Sequence, residues 1–261
     1  MGKLMKYDLR AALRLFVPLW IGALVLALVN SFTITVEFTD NRLLNFFTGL
    51  LMVLYVLAIF GIMLMAAIYV VQRFYQSMLK DEGYLTFTLP ISIDSILWSK
   101  ALTAMILFAG SAVVCVASFF LLVMQDLQNV EFRWLAENLM TNITWQQTFG
   151  MLVSFAVMIA AEVLSGLFHV YLAMALGQLA QKHRVGVSIA AFVCISVAMS
   201  FLMTRPLPLL EELISAKLPR IDDSALVASV VFLGMAAAAL VQTAIYYIPA
   251  RYLFKRKLNL E

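Results

Sequence analysis

The chain has 261 residues, of which 64% are hydrophobic and 13% are charged, and its mean hydropathy is +0.96. This apolar fraction is more than one soluble domain of this length buries, which excludes an ordinary water-soluble protein and indicates that lipid covers the excess. The net charge of only +3 gives no indication of nucleic-acid binding.

The hydropathy pattern predicts an all-α integral membrane fold, with six transmembrane helices in a single domain over residues 1–261. A helix needs about 20 apolar residues to cross about 30 Å of hydrocarbon. Six segments are long enough, and none shows the alternation of a barrel strand. The predicted spans are residues 16–36, 46–71, 101–124, 149–180, 187–203 and 225–250.

The distribution of positive charge predicts that both termini lie in the cytoplasm. With the N-terminus inside, most of the 18 Lys and Arg residues fall in cytoplasmic segments, and the outer loops carry mainly Asp and Glu. Cytoplasmic loops of membrane proteins are enriched in Lys and Arg. We therefore expect a multi-pass protein of a bacterial plasma membrane.

Residues 1–15 are predicted to form an amphipathic helix on the inner membrane surface. Wound as a helix, this segment places four basic side chains in one arc and its apolar side chains in the neighbouring arc. The basic residues are Lys3, Lys6, Arg10 and Arg14. The alternative is a basic flank that only follows the positive-inside rule, which explains the charges but not their separation from the apolar face.

The long cytoplasmic loop, residues 72–99, is predicted to contain a short amphipathic helix with exposed aromatic side chains. Apolar residues recur there at helical spacing, two acidic residues follow, and a glycine is expected to end the helix. The residues concerned are Phe74, Tyr75, Met78, Leu79, Asp81, Glu82, Gly83 and Tyr84. Ser92 is predicted to cap the next helix. Such a helix either docks on a soluble partner or rests on lipid headgroups.

The six-span layout and the stretch FYQSMLKDEGYLTFTLPIS, residues 74–92, resemble the permease subunits of bacterial type 2 ABC exporters, in a Firmicutes branch. The resemblance implies a dimer with the same or a related permease. It also implies a separate nucleotide-binding subunit, which hydrolyses ATP with Mg and docks on the loop at residues 72–99, with a smaller contact at residues 181–186. The short outer loops argue against bulky lipid-linked polysaccharide as cargo.

This chain contains no phosphate-binding loop and no recognised hydrolase or metalloprotease motif. We therefore expect no catalytic residue, metal or cofactor in this chain, and we expect ATP hydrolysis in the partner. Cys115 and Cys194 lie within predicted spans and are interpreted as small apolar residues.

Two ionisable residues, Glu162 and His169, lie deep in the fourth predicted span. They are seven residues apart, so they share one helix face without touching. An ionised carboxylate in a membrane is costly, so Glu162 should face a partner, a water-filled cavity or the other subunit, or be protonated. A role in the translocation path or gate is one hypothesis, and a satisfied structural role at a helix interface is the other.

Three rival functions are a secondary transporter, an intramembrane enzyme and a non-transporting membrane sensor. A secondary transporter needs coupling-ion sites, and one Glu with one His offers little. An enzyme needs paired catalytic groups, which the spans lack. Apolar or amphipathic peptides and lipids are the favoured cargo, because the spans offer few charged groups to a polar solute.

Overall fold

The computed structural model describes residues 2–35, 42–79, 92–123, 144–180, 182–204 and 224–256. They form six α-helices and, within those ranges, no strand. The helices are α1 Gly2–Thr35, α2 Arg42–Leu79, α3 Ile93–Val123, α4 Trp145–Gly177, α5 Arg184–Thr204 and α6 Ser224–Arg256. Each is long and apolar enough to cross a membrane. The predicted all-helical, six-span layout is confirmed at this level.

The helices extend beyond several of the predicted spans. The second, with 38 residues, is about 57 Å long, whereas the hydrocarbon core is about 30 Å thick. It continues without a break from the predicted second span through Phe74 to Leu79, so these residues are the end of α2 and not a separate short helix. Hydropathy marks the part of a helix that crosses lipid, whereas a helix continues for as long as its backbone hydrogen bonds do.

The first helix, α1, is also unbroken from Gly2 and includes Pro18. The side chains of Lys6, Arg10 and Arg14 are exposed, whereas Ala12 and Phe16 are buried. The separation of a basic face from an apolar face is therefore present. The placement of residues 1–15 along the membrane surface stays a prediction, and the side chain of Lys3 lies outside the described residues.

The chain divides into two compact units, and the first comprises residues 1–73 and 102–142. In it α1, most of α2 and most of α3 are joined by pairs of polar side chains. Trp20 Nε1 donates to Ser111 Oγ over 3.2 Å, and a hydrogen bond of 2.9 Å joins the hydroxyls of Tyr55 and Ser118. A side chain at Gly110 would collide with the Trp20 ring, so the glycine permits this close approach.

The second unit comprises residues 74–101 and 143–261, and α4 is its central helix, with contacts to both α6 and α5. The capping box at Thr144 starts α4, because Gln147 Oε1 accepts a hydrogen bond from the Thr144 backbone N–H over 2.8 Å. Close contact between the end of α4 and the start of α5 requires Gly177, since a Cβ there would overlap Ser188. The last turns of α2 and the first turns of α3 belong to this unit.

Candidate functional site

The second unit contains two groups of residues with functional interest. The first is where the last turns of α2 and the first turns of α3 pack on α4 and α6, and we call it the loop-flanking junction. Its residues are Phe74, Asp94, Trp98, Phe168, Tyr171, Tyr247, Arg251 and Phe254. The helix ends on either side of residues 80–91 are fixed here.

At the end of α2, Phe74 is 1% exposed. Its ring stacks on the Tyr171 ring of α4 at 3.7 Å and 8°, and meets the edge of Phe254 of α6 at 5.9 Å. Met78, one turn later, is also buried. The expectation of an exposed aromatic face is therefore wrong for Phe74, because its apolar surface is already covered within this chain.

The start of α3 is fixed by a charged contact with α6. Ser92 caps the helix, as predicted, since its Oγ accepts a hydrogen bond from the Ser95 backbone N–H over 3.3 Å. In the first turn of α3, Asp94 accepts a hydrogen bond from Tyr247 Oη at 2.6 Å and from Arg251 Nη2 at 2.8 Å. Arg251 Nε lies 2.7 Å from the same carboxylate, which makes the pair bidentate.

Aromatic rings connect these two contacts. Trp98 of α3 lies 5.3 Å from Phe168 and 5.9 Å from Tyr247, measured between ring centroids. Phe168 meets both Tyr171 and Tyr247 edge to face, at 5.7 and 5.3 Å. Phe168 and Tyr171 are fully buried, whereas Trp98 and Tyr247 are half-buried. Aromatic side chains packed in this way hold their helices in one arrangement.

Sequence reasoning missed Asp94, Tyr247 and Arg251. An acidic residue in the first turn of a helix is an ordinary dipole partner, so Asp94 gave no separate signal. Its partners are more than 150 positions away in the chain, and only tertiary packing brings them together. The other predicted coupling residues divide between described and undescribed segments: Tyr75 is half-buried, whereas the side chain of Leu79 and all of Asp81, Glu82, Gly83 and Tyr84 lie outside the described residues.

The second group is a polar face of α4 at membrane depth. Glu162 is exposed, whereas His169, two turns later, is only 9% exposed. The His169 imidazole lies between two aromatic rings, Phe192 of α5 at 4.3 Å and Tyr246 of α6 at 4.9 Å. On the α6 side, Ser165 Oγ donates to Gln242 Oε1 over 3.2 Å. Glu162 and His169 thus share one face of α4, but Glu162 is exposed whereas His169 is enclosed by aromatic rings.

Among the described residues, no group of three His, Cys, Asp or Glu side chains is placed to hold a metal ion. Both cysteines are free thiols. This polar face therefore has the groups to form hydrogen bonds and to balance a charge, and the described part of the chain offers no set of metal ligands.

Comparison with known proteins adds no identification: no protein-family model, no curated protein and no solved structure matches this chain. Any conclusion about function therefore rests on the residues themselves and on the resemblance carried by residues 74–92.

Proposed function

We propose that this chain is the membrane subunit of an ATP-driven exporter of the type 2 ABC class, located in a bacterial plasma membrane with both termini in the cytoplasm. It forms the translocation path together with a second permease, either the same or a related chain. A separate nucleotide-binding subunit binds ATP and Mg and supplies the energy. This chain catalyses no reaction itself.

The observation that carries this proposal is the anchoring of both flanks of residues 80–91 on the same two helices. Phe74 attaches the end of α2 to α4 and α6. At the start of α3, Asp94 contacts α6 and Trp98 contacts α4. These flanks belong to the compact unit that also contains Glu162 and His169. A force applied to residues 80–91 is therefore applied directly to the helices that carry the polar face.

Close packing is what makes such transmission effective. Packed interiors switch between discrete arrangements and resist gradual deformation, so a shift at the loop moves the attached helices as bodies. A loop attached to flexible ends would lose the motion before it reached the membrane. The burial of Phe74 supports this mechanical role, and leaves partner contact to Tyr75 and to residues 79–84.

Partner docking is tested by changing residues 79–84 without changing the junction. We expect the doubly substituted loop, Asp81→Lys with Tyr84→Ala, to lose co-purification of a Walker-type ATPase in mild detergent, because a central aromatic anchor contributes about 1–3 kcal/mol to an interface. Tyr7→Ala is the matched control, since Tyr7 is an exposed aromatic on α1. The readouts are ATPase recovery and cargo-dependent ATP hydrolysis.

Two outcomes would contradict the proposal. If no ATPase accompanies the unmodified chain, and the purified chain alone moves solute against an ion gradient, the protein is a secondary transporter. If an ATPase is recovered equally with the loop variant and with Tyr7→Ala, residues 79–84 are not the docking element.

A further inference from the structure

The exposed carboxylate of Glu162 lies near the middle of α4, a helix long and apolar enough to cross a membrane. Within α4, α5 and α6 the other charged side chains, Arg184, Arg251, Lys255 and Arg256, lie at helix ends. No hydrogen bond or ion pair connects Glu162 with the described residues. An ionised carboxylate against hydrocarbon is unfavourable by several kcal/mol. A cationic or hydrogen-bonding occupant beside Glu162 would remove this penalty, as would protonation of the carboxyl or coverage by a second copy of the chain.

The face of α4 that carries Glu162 is covered by α5 and α6 at His169 and is exposed at Gly166 and Glu162. Glu162, Gly166 and His169 share this face by helical spacing. At His169 the face is closed, because Phe192 of α5 and Tyr246 of α6 cover the imidazole on its two sides. One turn earlier Gly166 is exposed, and a Cβ there would meet nothing within 4 Å. We call this opening, from Glu162 to His169, the α4 recess.

Side chains of α5 add hydroxyl groups to the α4 recess. Ser196 and Ser200 follow Phe192 by one and two turns, so they continue the face of α5 that meets His169. Since α5 returns antiparallel to α4, these turns lie at the level of Gly166 and Glu162. Their hydroxyls donate to the carbonyls of Phe192 and Ser196, at 2.8 and 2.9 Å. The hydroxyl oxygens are left as acceptors.

His169 supplies a further acceptor. The side chain of His169 is only 9% exposed, and its buried Nε2 has no hydrogen-bond partner among the described residues. A buried polar atom without a partner is unfavourable, so a ligand that donates a hydrogen bond to it is favoured. Side chains on a helix lean toward its N-terminus, and Gly166 is on that side of His169. Neutral imidazole protonated at Nδ1 accepts a hydrogen bond at Nε2.

We infer that the α4 recess binds the ammonium head group of an amphipathic amine that enters from the bilayer. Glu162 is the counter-ion, and His169 Nε2 and the serine oxygens accept hydrogen bonds from the ammonium N–H groups. The alkyl tail remains in contact with lipid and with the apolar surfaces of α5 and α6. Charge complementarity selects this ligand: the recess contains one carboxylate and neutral acceptors, and its described residues include no cation. Only the assignment of the amine as cargo rests on the proposed export function.

The binding experiment uses the full chain in lipid nanodiscs, without any ATPase. The probe is radiolabelled dodecylamine, and empty nanodiscs of the same lipid measure its partition into the bilayer. We expect saturable binding above that background. Dodecyltrimethylammonium, which has the charge but no N–H group, should compete more weakly, and dodecanol, which has no charge, should not compete.

Variants at the two named residues test the assignment. Glu162→Gln should weaken binding about tenfold to hundredfold, the range expected for loss of a charge-assisted hydrogen bond, whereas Glu162→Asp should keep most of the affinity. His169→Phe preserves a ring between Phe192 and Tyr246 but removes Nε2, and should weaken binding several-fold. Thermal unfolding of each variant in the same nanodiscs checks that the fold is retained.

Three results would overturn the inference. Binding no greater than in empty nanodiscs would show that no amine site exists. Unchanged affinity in Glu162→Gln would remove the counter-ion role. A change of oligomeric state in Glu162→Gln, with unchanged amine binding, would show that a second copy of the chain covers Glu162. None of these depends on an ATPase partner, so recovery of no ATPase would contradict the proposed export function and leave this result in place.

Discussion

The two compact units treat polar side chains at membrane depth differently. In the first unit Trp20 pairs with Ser111, and Tyr55 with Ser118. In the second unit the carboxylate of Glu162 and the Nε2 of His169 have no hydrogen-bond partner among the described residues. Polar groups that pair with each other join helices, whereas polar groups without a partner can still form hydrogen bonds with a ligand or another chain. Ser165 and Gln242 of the second unit are paired in the same way as the residues of the first, so the contrast concerns Glu162 and His169, for which we propose a binding role.

One residue of the first unit departs from this contrast. Asn30 Nδ2 donates to the Leu51 carbonyl over 3.2 Å and to the Leu26 carbonyl over 3.0 Å, but its Oδ1 is buried without a partner. Asn30 still joins α1 to α2 through its amide nitrogen. It therefore fits a packing role more closely than the pair of Glu162 and His169 does.

The two units also differ in what holds their helices together. Hydroxyl and indole contacts recur between α1, α2 and α3 in the first unit. In the second, aromatic rings pack around the fully buried Phe168 and Tyr171. Rings contribute large contact areas, so we expect substitutions in the aromatic cluster to have the greater effect on stability.

The largest expected effect is that of Phe74→Ala. Removing a fully buried ring that stacks on Tyr171 leaves a cavity, and should lower the free energy of unfolding by about 3 kcal/mol. Unfolding in lipid nanodiscs measures this change. Phe60→Ala is the control, because Phe60 is on the same helix but is 65% exposed. Equal effects of the two substitutions would mean that the junction is not a packed core.

An intermediate effect is expected for the ion pair of Asp94 and Arg251. Their side chains are 34% and 49% exposed, so solvent screens the pair despite its bidentate geometry. A double-mutant cycle with Asp94→Ala and Arg251→Ala should give a coupling of about 1 kcal/mol, which decreases as salt is raised. A coupling that does not respond to salt would show that the contact is shielded from solvent.

The smallest expected effect is that of the hydroxyl pair in the first unit. Ser118 Oγ donates to the Cys115 carbonyl, so the Tyr55 hydroxyl donates to Ser118. A cycle with Tyr55→Phe and Ser118→Ala should give about 0.6 kcal/mol, a usual value between membrane helices, with no dependence on salt. These variants should bind dodecylamine as the unmodified chain does. Loss of amine binding here would break the contrast between the units.

Much of the fold could be predicted from the sequence because the bilayer imposes a simple requirement. A segment that crosses lipid must be long, apolar and internally hydrogen-bonded, so six helices follow from hydropathy alone. The N-cap at Ser92 could also be predicted from neighbouring residues alone, because Ser directly before a helix commonly caps it. The end of α2 lies beyond the predicted span, because polarity marks where lipid ends and not where a helix ends.

The candidate sites show where local reasoning stops. The sequence alone determined that Glu162 and His169 share one face of a membrane helix, since helical spacing requires it. Only the tertiary structure decided that Phe192 and Tyr246 enclose His169, while the face near Glu162 is open. It likewise decided that Phe74 is buried and that Asp94 meets Arg251. Burial and pairing depend on which distant helices pack together, and such contacts produce no periodic pattern in the sequence.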